Sequence, residues 1–170
     1  GSVQVPQGAT VIDASGRYLM PGLAEMHGHT PGGVMEEPVM FLYVANGITT
    51  VRGMLGNQTH LDLRRRANTG ELLAPTLYLA GPSFSGNTVQ SEEQADQRER
   101  EQARDGRDLL KAHPGLTRAQ YDAMARAAQE SGIRFAGHVP ADVGLRHAIE
   151  RGQETFDHLD GYIEFLDAFD

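Results

Sequence analysis

Short apolar runs alternate along this chain with longer stretches whose apolar residues recur at helical spacing. The runs at residues 23–26, 48–52, 76–80, 108–112, 133–136 and 155–156 predict strands, because they are short, aliphatic or β-branched, and end in Gly, His or polar loops. Residues 38–46, 60–68, 91–105, 117–131 and 141–150 predict helices, and a last helix begins near Tyr162. Gly47, Gly132 and Gly152 stand where three of these helices should stop. Strand and helix alternate six times, which predicts a parallel sheet with helices outside it. Residues 8–13 predict one further short strand before this series, closed by the Ser15-Gly16 turn. One segment fits poorly. Between Val89 and Leu109 the only apolar residues are Ala95 and Ala103, so the helix over 91–105 should pack weakly.

Composition narrows the partners. A chain of 170 residues is long enough for one domain with a real core. Its formal net charge of −8, with Arg64-Arg65-Arg66 as the sole basic run, argues against nucleic acid and anionic membranes as partners. The chain has no cysteine, so a metal site would have to use His, carboxylate or modified lysine. No apolar run reaches membrane-spanning length and no targeting segment is present, which predicts a soluble protein and leaves its compartment open. Gly1-Ser2 resembles a protease-cleavage scar, as if the chain began inside a longer protein.

The chemistry gathers at the strand ends. Lys111 is the only lysine; all other basic side chains are arginine. Arginine does not lose its proton to react as an amine, and lysine does. Burial at the end of the apolar run 108–111 favours the neutral amine. That amine can add carbon dioxide, giving a carbamate whose two oxygens suit a bridge between two cations. Upstream, strand periodicity turns His27 and His29 to one side, where two imidazoles can bind one divalent ion. Downstream, His138 and His158 close two more strands and are candidates for a second ion. Each histidine has a plain alternative as a hydrogen-bonded strand-end residue, and Lys111 as a lysine reaching solvent. Weaker candidates are Arg52 and Tyr162 as substrate contacts, His113 facing the same mouth, and Asp160 as a catalytic carboxylate.

The stretch from Val11 through Met20-Pro21-Gly22-Leu23 into His27-Gly28-His29 resembles the opening of metal-dependent amidohydrolases. Gly47-Ile48-Thr49-Thr50-Val51-Arg52, Asp108-Leu109-Leu110-Lys111, Gly137-His138 and Asp157-His158 continue the likeness, which is nearest to the imidazolonepropionase- and dipeptidase-like branch with a carboxylated lysine. The resemblance implies an α/β fold, an incomplete (β/α)8 TIM barrel of about six βα units. It would lack the last two strands and most of the flanking β-sandwich. Residues 1–17 would be a remnant of that sandwich and 18–170 the partial barrel. It further implies that His27 and His29 bind one metal ion, that His138 and His158 bind another, and that the carbamate of Lys111 bridges them. Zinc is the default, with Mn, Co or Fe as alternatives. The implied activity is cleavage of an amide, cyclic amide or dipeptide C–N bond in a small-molecule substrate by a metal-bridging hydroxide. The family's aspartate on the eighth strand has no counterpart here, and Asp160 is a weak substitute. Two other readings stand beside this one: a noncatalytic fragment or oligomerising module that keeps the ligands, completed by a homo-oligomer or strand exchange, and a one-metal site that does not need Lys111.

Overall fold

In a computed structural model, which describes residues 3–167, all five strands run parallel to their neighbours. They are β1 (Leu23–Gly28), β2 (Ile48–Gly53), β3 (Thr76–Leu79), β4 (Leu109–Ala112) and β5 (Arg134–Gly137). Parallel neighbours need a crossover between them. Here the crossovers carry α1 (Glu36–Ala45), α2 (Thr59–Thr69), α3 (Glu92–Arg104) and α4 (Arg118–Ser131). The chain then continues into α5 (Leu145–Glu150) and α6 (Tyr162–Asp167). The strands are ordered β1-β2-β3 and β4-β5, and single bridges at Ala80–Leu109 and Phe84–Ala112 join the two groups into one arc. Gly137–Phe156 adds one more bridge at its end. The sixth run of the sequence therefore makes a single bridge rather than a strand.

Alternation along the strands sorts the side chains. Val51, Leu77 and Leu79 pack with Met40 and Leu63 of the helices, while Leu110, Ala112 and Phe135 pack with Tyr121, Met124 and Ala128 of α4. The opposite set, including Thr50, Arg52, Tyr78, Leu109 and Ala136, lines a cavity of about 350 Å³ on the concave side. The helices are stopped as their ends require. Thr117 and Gln120 form a reciprocal cap on α4, and Gly132 ends it in the left-handed conformation.

The polar helix α3 packs by a route that apolar periodicity does not reveal. Ala95, Glu99 and Gln102 are its buried residues. Ser131 Oγ donates to Glu99 Oε1 at 2.5 Å, and Gln102 Nε2 donates to the Pro82 carbonyl at 2.7 Å. Gly81 makes the close approach feasible, since a Cβ there would stand 2.2 Å from Gln102 Oε1. The Arg98 guanidinium covers the Phe84 ring at 5.6 Å.

Two further expectations change. Residues 8–13 form no strand, and Val11 and Ile12 stand exposed, with no partner strand to order them. The helix expected over 141–150 begins only at Leu145, because the chain first makes a turn through residues 141–143 and Gly144 has φ 73°. Gly1-Ser2 and residues 168–170, over which the sequence predicts that the last helix continues, lie outside the described residues. No helix among those described is long and apolar enough to cross a membrane.

Candidate metal centre

The first histidine owes its position to a bulge. In the β1–β2 register Glu25 stands opposite Val51 and Gly28 opposite Gly53, so Met26 and His27 together face one residue of β2. Such an insertion re-aims side chains. Met26 lines the concave cavity, while His27 turns toward the strand ends. The His27 amide, out of ladder register, donates to Glu25 Oε1 at 2.7 Å. Gly28 is a packing requirement between the two histidines, because a Cβ there would meet Val51 Cγ1 at 2.8 Å. His27 Nε2 and His29 Nε2 then lie 3.3 Å apart. Strand periodicity had placed these two rings on one side, and they are neighbours.

Lys111 sits on β4 opposite Ala136 of β5 and is fully buried. Its Nζ donates to Asp157 Oδ2. Burial lowers the lysine pKa from its ordinary value, and the adjacent carboxylate opposes that shift only in part. For Asp157, burial acts upward, but the Lys111 hydrogen bond and the positive charges of Lys111, His27 and His138 outweigh it and hold the carboxyl below the usual range. Asp157 also lies 3.4 Å from His27 Nδ1. Asp157 is not among the candidates that the sequence pattern singles out. Its signal is its place directly before His158 at the end of the sixth apolar run, a position where a carboxylate is as well placed as an imidazole.

His158 does not leave a regular strand. It has φ 57° and Leu159 has φ 60°, two consecutive side-chain-bearing residues in the left-handed region. Each such residue costs about 1–2 kcal/mol, and strain of this kind concentrates where a side chain must be aimed. The result is a run of imidazoles. The His27 ring centre is 5.2 Å from His29 and 5.0 Å from His158; His158 is 5.0 Å from His138; His138 is 4.8 Å from His113. His138 Nδ1 faces Asp160 Oδ2 at 2.6 Å. Asp160 is thereby engaged in holding a histidine ring. His113 belongs to the cluster as well. Its Nε2 is buried without a hydrogen-bond partner, and burial, with the charges of His138 and Lys111 next, lowers its pKa to about 4.

Two other candidates lie apart from the imidazoles. The Arg52 side chain spans the concave face, donating from Nε to the Met26 carbonyl at 2.7 Å and from Nη1 to Thr155 Oγ1 at 3.1 Å. It braces β1 and β2 against the segment before Asp157. Tyr162, at the start of α6, packs edge-on against Phe156 at 6.5 Å.

The donor set suits a divalent cation. His27, Asp157 and His158 each offer a ligand atom, and all of these lie within 4.8 Å of one another. Imidazole and carboxylate are the ordinary ligands of zinc and its neighbours, and His113, whose Nε2 has no hydrogen-bond partner, stands against His138 in the same run of rings.

No protein-family model and no curated protein matches the chain. Solved structures do. An amidohydrolase superposes with a TM-score of 0.75 over 91% of this chain and 51% of its own, at 19% identity. Bottromycin amidohydrolase gives 0.73 over 84% of this chain and 33% of its own, at 21% identity. A putative prolidase from Bifidobacterium longum gives 0.60 over 89% and 44%, at 21% identity. The chain spans about half the length of these proteins or less. At such identities the likeness is one of fold: the chain has the α/β architecture of part of an amidohydrolase.

Proposed function

We propose, on the premise of that fold, that this chain carries the metal-binding face of an amidohydrolase-type hydrolase acting on an amide, cyclic amide or dipeptide C–N bond. One observation carries the reading: His27, His29, His113, His138 and His158 come from separate parts of the chain to the C-terminal ends of parallel strands, around the buried Lys111. That end of a βα arrangement is where active sites are built. In this reading His27 and His29 hold one ion and His138 and His158 another. Lys111, once its amine has added to carbon dioxide to form the N–C bond of a carbamate and release a proton, would supply a further anionic ligand to them. Zinc is the first choice for both ions. When bound, they supply a Lewis acid for the scissile carbonyl and lower the pKa of water to near neutrality. The protein's own part is orientation. Asp160 holds His138 through Nδ1, the pairing that fixes tautomer and direction in a metal-binding histidine. Glu25, by satisfying the His27 amide, holds the bulge.

Native mass spectrometry after incubation with zinc and bicarbonate tests this reading. Two ions and one carbamate per chain are expected, together with hydrolysis of some members of a panel of acyl dipeptides and lactams. A chain that takes up no metal overturns it.

A further inference from the structure

His27 faces two ways, and only one of them is the pairing with His29. Its Nε2 meets His29 Nε2, while its Nδ1 looks toward Asp157. The three residues whose ligand atoms converge within 4.8 Å are His27, Asp157 and His158, without His29. Asp157 is among the buried charged residues of the chain, and its Oδ2 already has a positive charge beside it in the Lys111 ammonium. His158 reaches the group only through a left-handed backbone. We infer that Asp157 is a direct metal ligand, and that His27, Asp157 and His158 form a three-donor site that takes one divalent cation before, and without, modification of Lys111.

The physical case rests on charge and placement. A buried carboxylate needs a counter-charge. Lys111 provides it in the metal-free protein, and a divalent cation beside His27 and His158 provides it better, with two neutral imidazoles as co-ligands. Ammonium and cation therefore compete for one carboxylate. Three protein ligands with a fourth position open is also the arrangement of catalytic zinc. This inference rests on the reading that the cluster binds metal, and it concerns the first ion taken up before the carbamate of Lys111 forms.

The test is titration of the purified full chain with cobalt(II) alone, in buffer depleted of carbon dioxide, followed by absorption and by isothermal calorimetry. The wild type is expected to bind one ion per chain. Lys111→Met, which removes the competing ammonium, is expected to bind it more tightly. The double variant Lys111→Met/Asp157→Asn, which removes both members of the buried pair and leaves no lone charge, is expected to lose more than about 100-fold, the upper end of what outer-shell changes cost. Far-UV circular dichroism confirms that this variant is folded. First-ion binding by the double variant within threefold of wild type overturns the inference. If the wild type itself binds no cobalt, the metal reading of the whole cluster fails; if it binds and the double variant binds equally, only the role of Asp157 fails.

Discussion

Lys111 Nζ donates to Asp157 Oδ2 from β4 to the turn that carries His158, with 0% of the lysine side chain and 4% of the aspartate side chain exposed. Breaking a buried pair from one side costs about 3–5 kcal/mol, because a lone charge stays behind. In chelator-treated protein, Lys111→Met is expected to lower unfolding stability by about that amount. The double variant Lys111→Met/Asp157→Asn should recover more than half of it. Urea denaturation at neutral pH measures both. Equal losses in the two variants would mean that the pair is not coupled.

Asp160 is expected to act through His138. The 2.6 Å contact places its carboxylate on the ring nitrogen that would face away from a bound ion. Asp160→Asn should leave the fold intact and weaken binding of the ion held by His138 by about 10–100-fold. Competition against a chromophoric chelator reads this directly, and an unchanged affinity would remove the orienting role.

His113 gives the metal-free protein an acid-sensitive stability. Burial and neighbouring positive charge lower its pKa from 6.5 to about 4. Between those values the unfolded chain binds a proton that the folded chain refuses, so stability falls as pH falls from about 6.5 to about 4. His27, shifted the same way by its burial, contributes to the same slope. Urea midpoints across this range should decline with acid, and His113→Gln should flatten the decline. A variant with the wild-type slope would contradict the assignment.

Leu159 carries backbone strain with little packing in return, at φ 60° and 70% exposed. Asparagine tolerates the left-handed region better than leucine. Leu159→Asn is expected to raise stability by about 0.5 kcal/mol. A lower melting temperature would show that Leu159 packs usefully where it stands.

Gly137 is required immediately before His138. It has φ 134°, and a Cβ there would stand 2.2 Å from the Ala112 carbonyl oxygen. Gly137→Ala is expected to cost more than about 2 kcal/mol, the range of backbone strain at a special conformation, and to weaken metal binding through displacement of His138. Thermal unfolding and cobalt titration together check it.

Much of this fold was legible in the chain because burial writes itself into periodicity. The runs over 48–52, 108–112 and 133–136 read as strands and are strands, and the stripe of Tyr121, Met124 and Ala128 is the buried face of a helix. The helix α3 was not legible in that way. Its buried groups, Glu99 and Gln102, are polar, and only a partner such as Ser131 or the Pro82 carbonyl makes them acceptable inside. The sixth run, at Phe156, carried the same apolar signal as the others, yet it makes one bridge, because strand formation depends on partners along its whole length.

By itself, then, the sequence determined the alternation of strand and helix, and so placed His27, His29, Lys111 and His138 at or beside the ends of strands, since local period and end position depend only on neighbours along the chain. The tertiary structure alone decided what those residues meet. The bulge in β1 turned His27 toward Asp157, the left-handed turn aimed His158, and the buried lysine found its carboxylate 46 positions away. Contacts of that kind are set by the closing of the arc, and no window of sequence contains both partners.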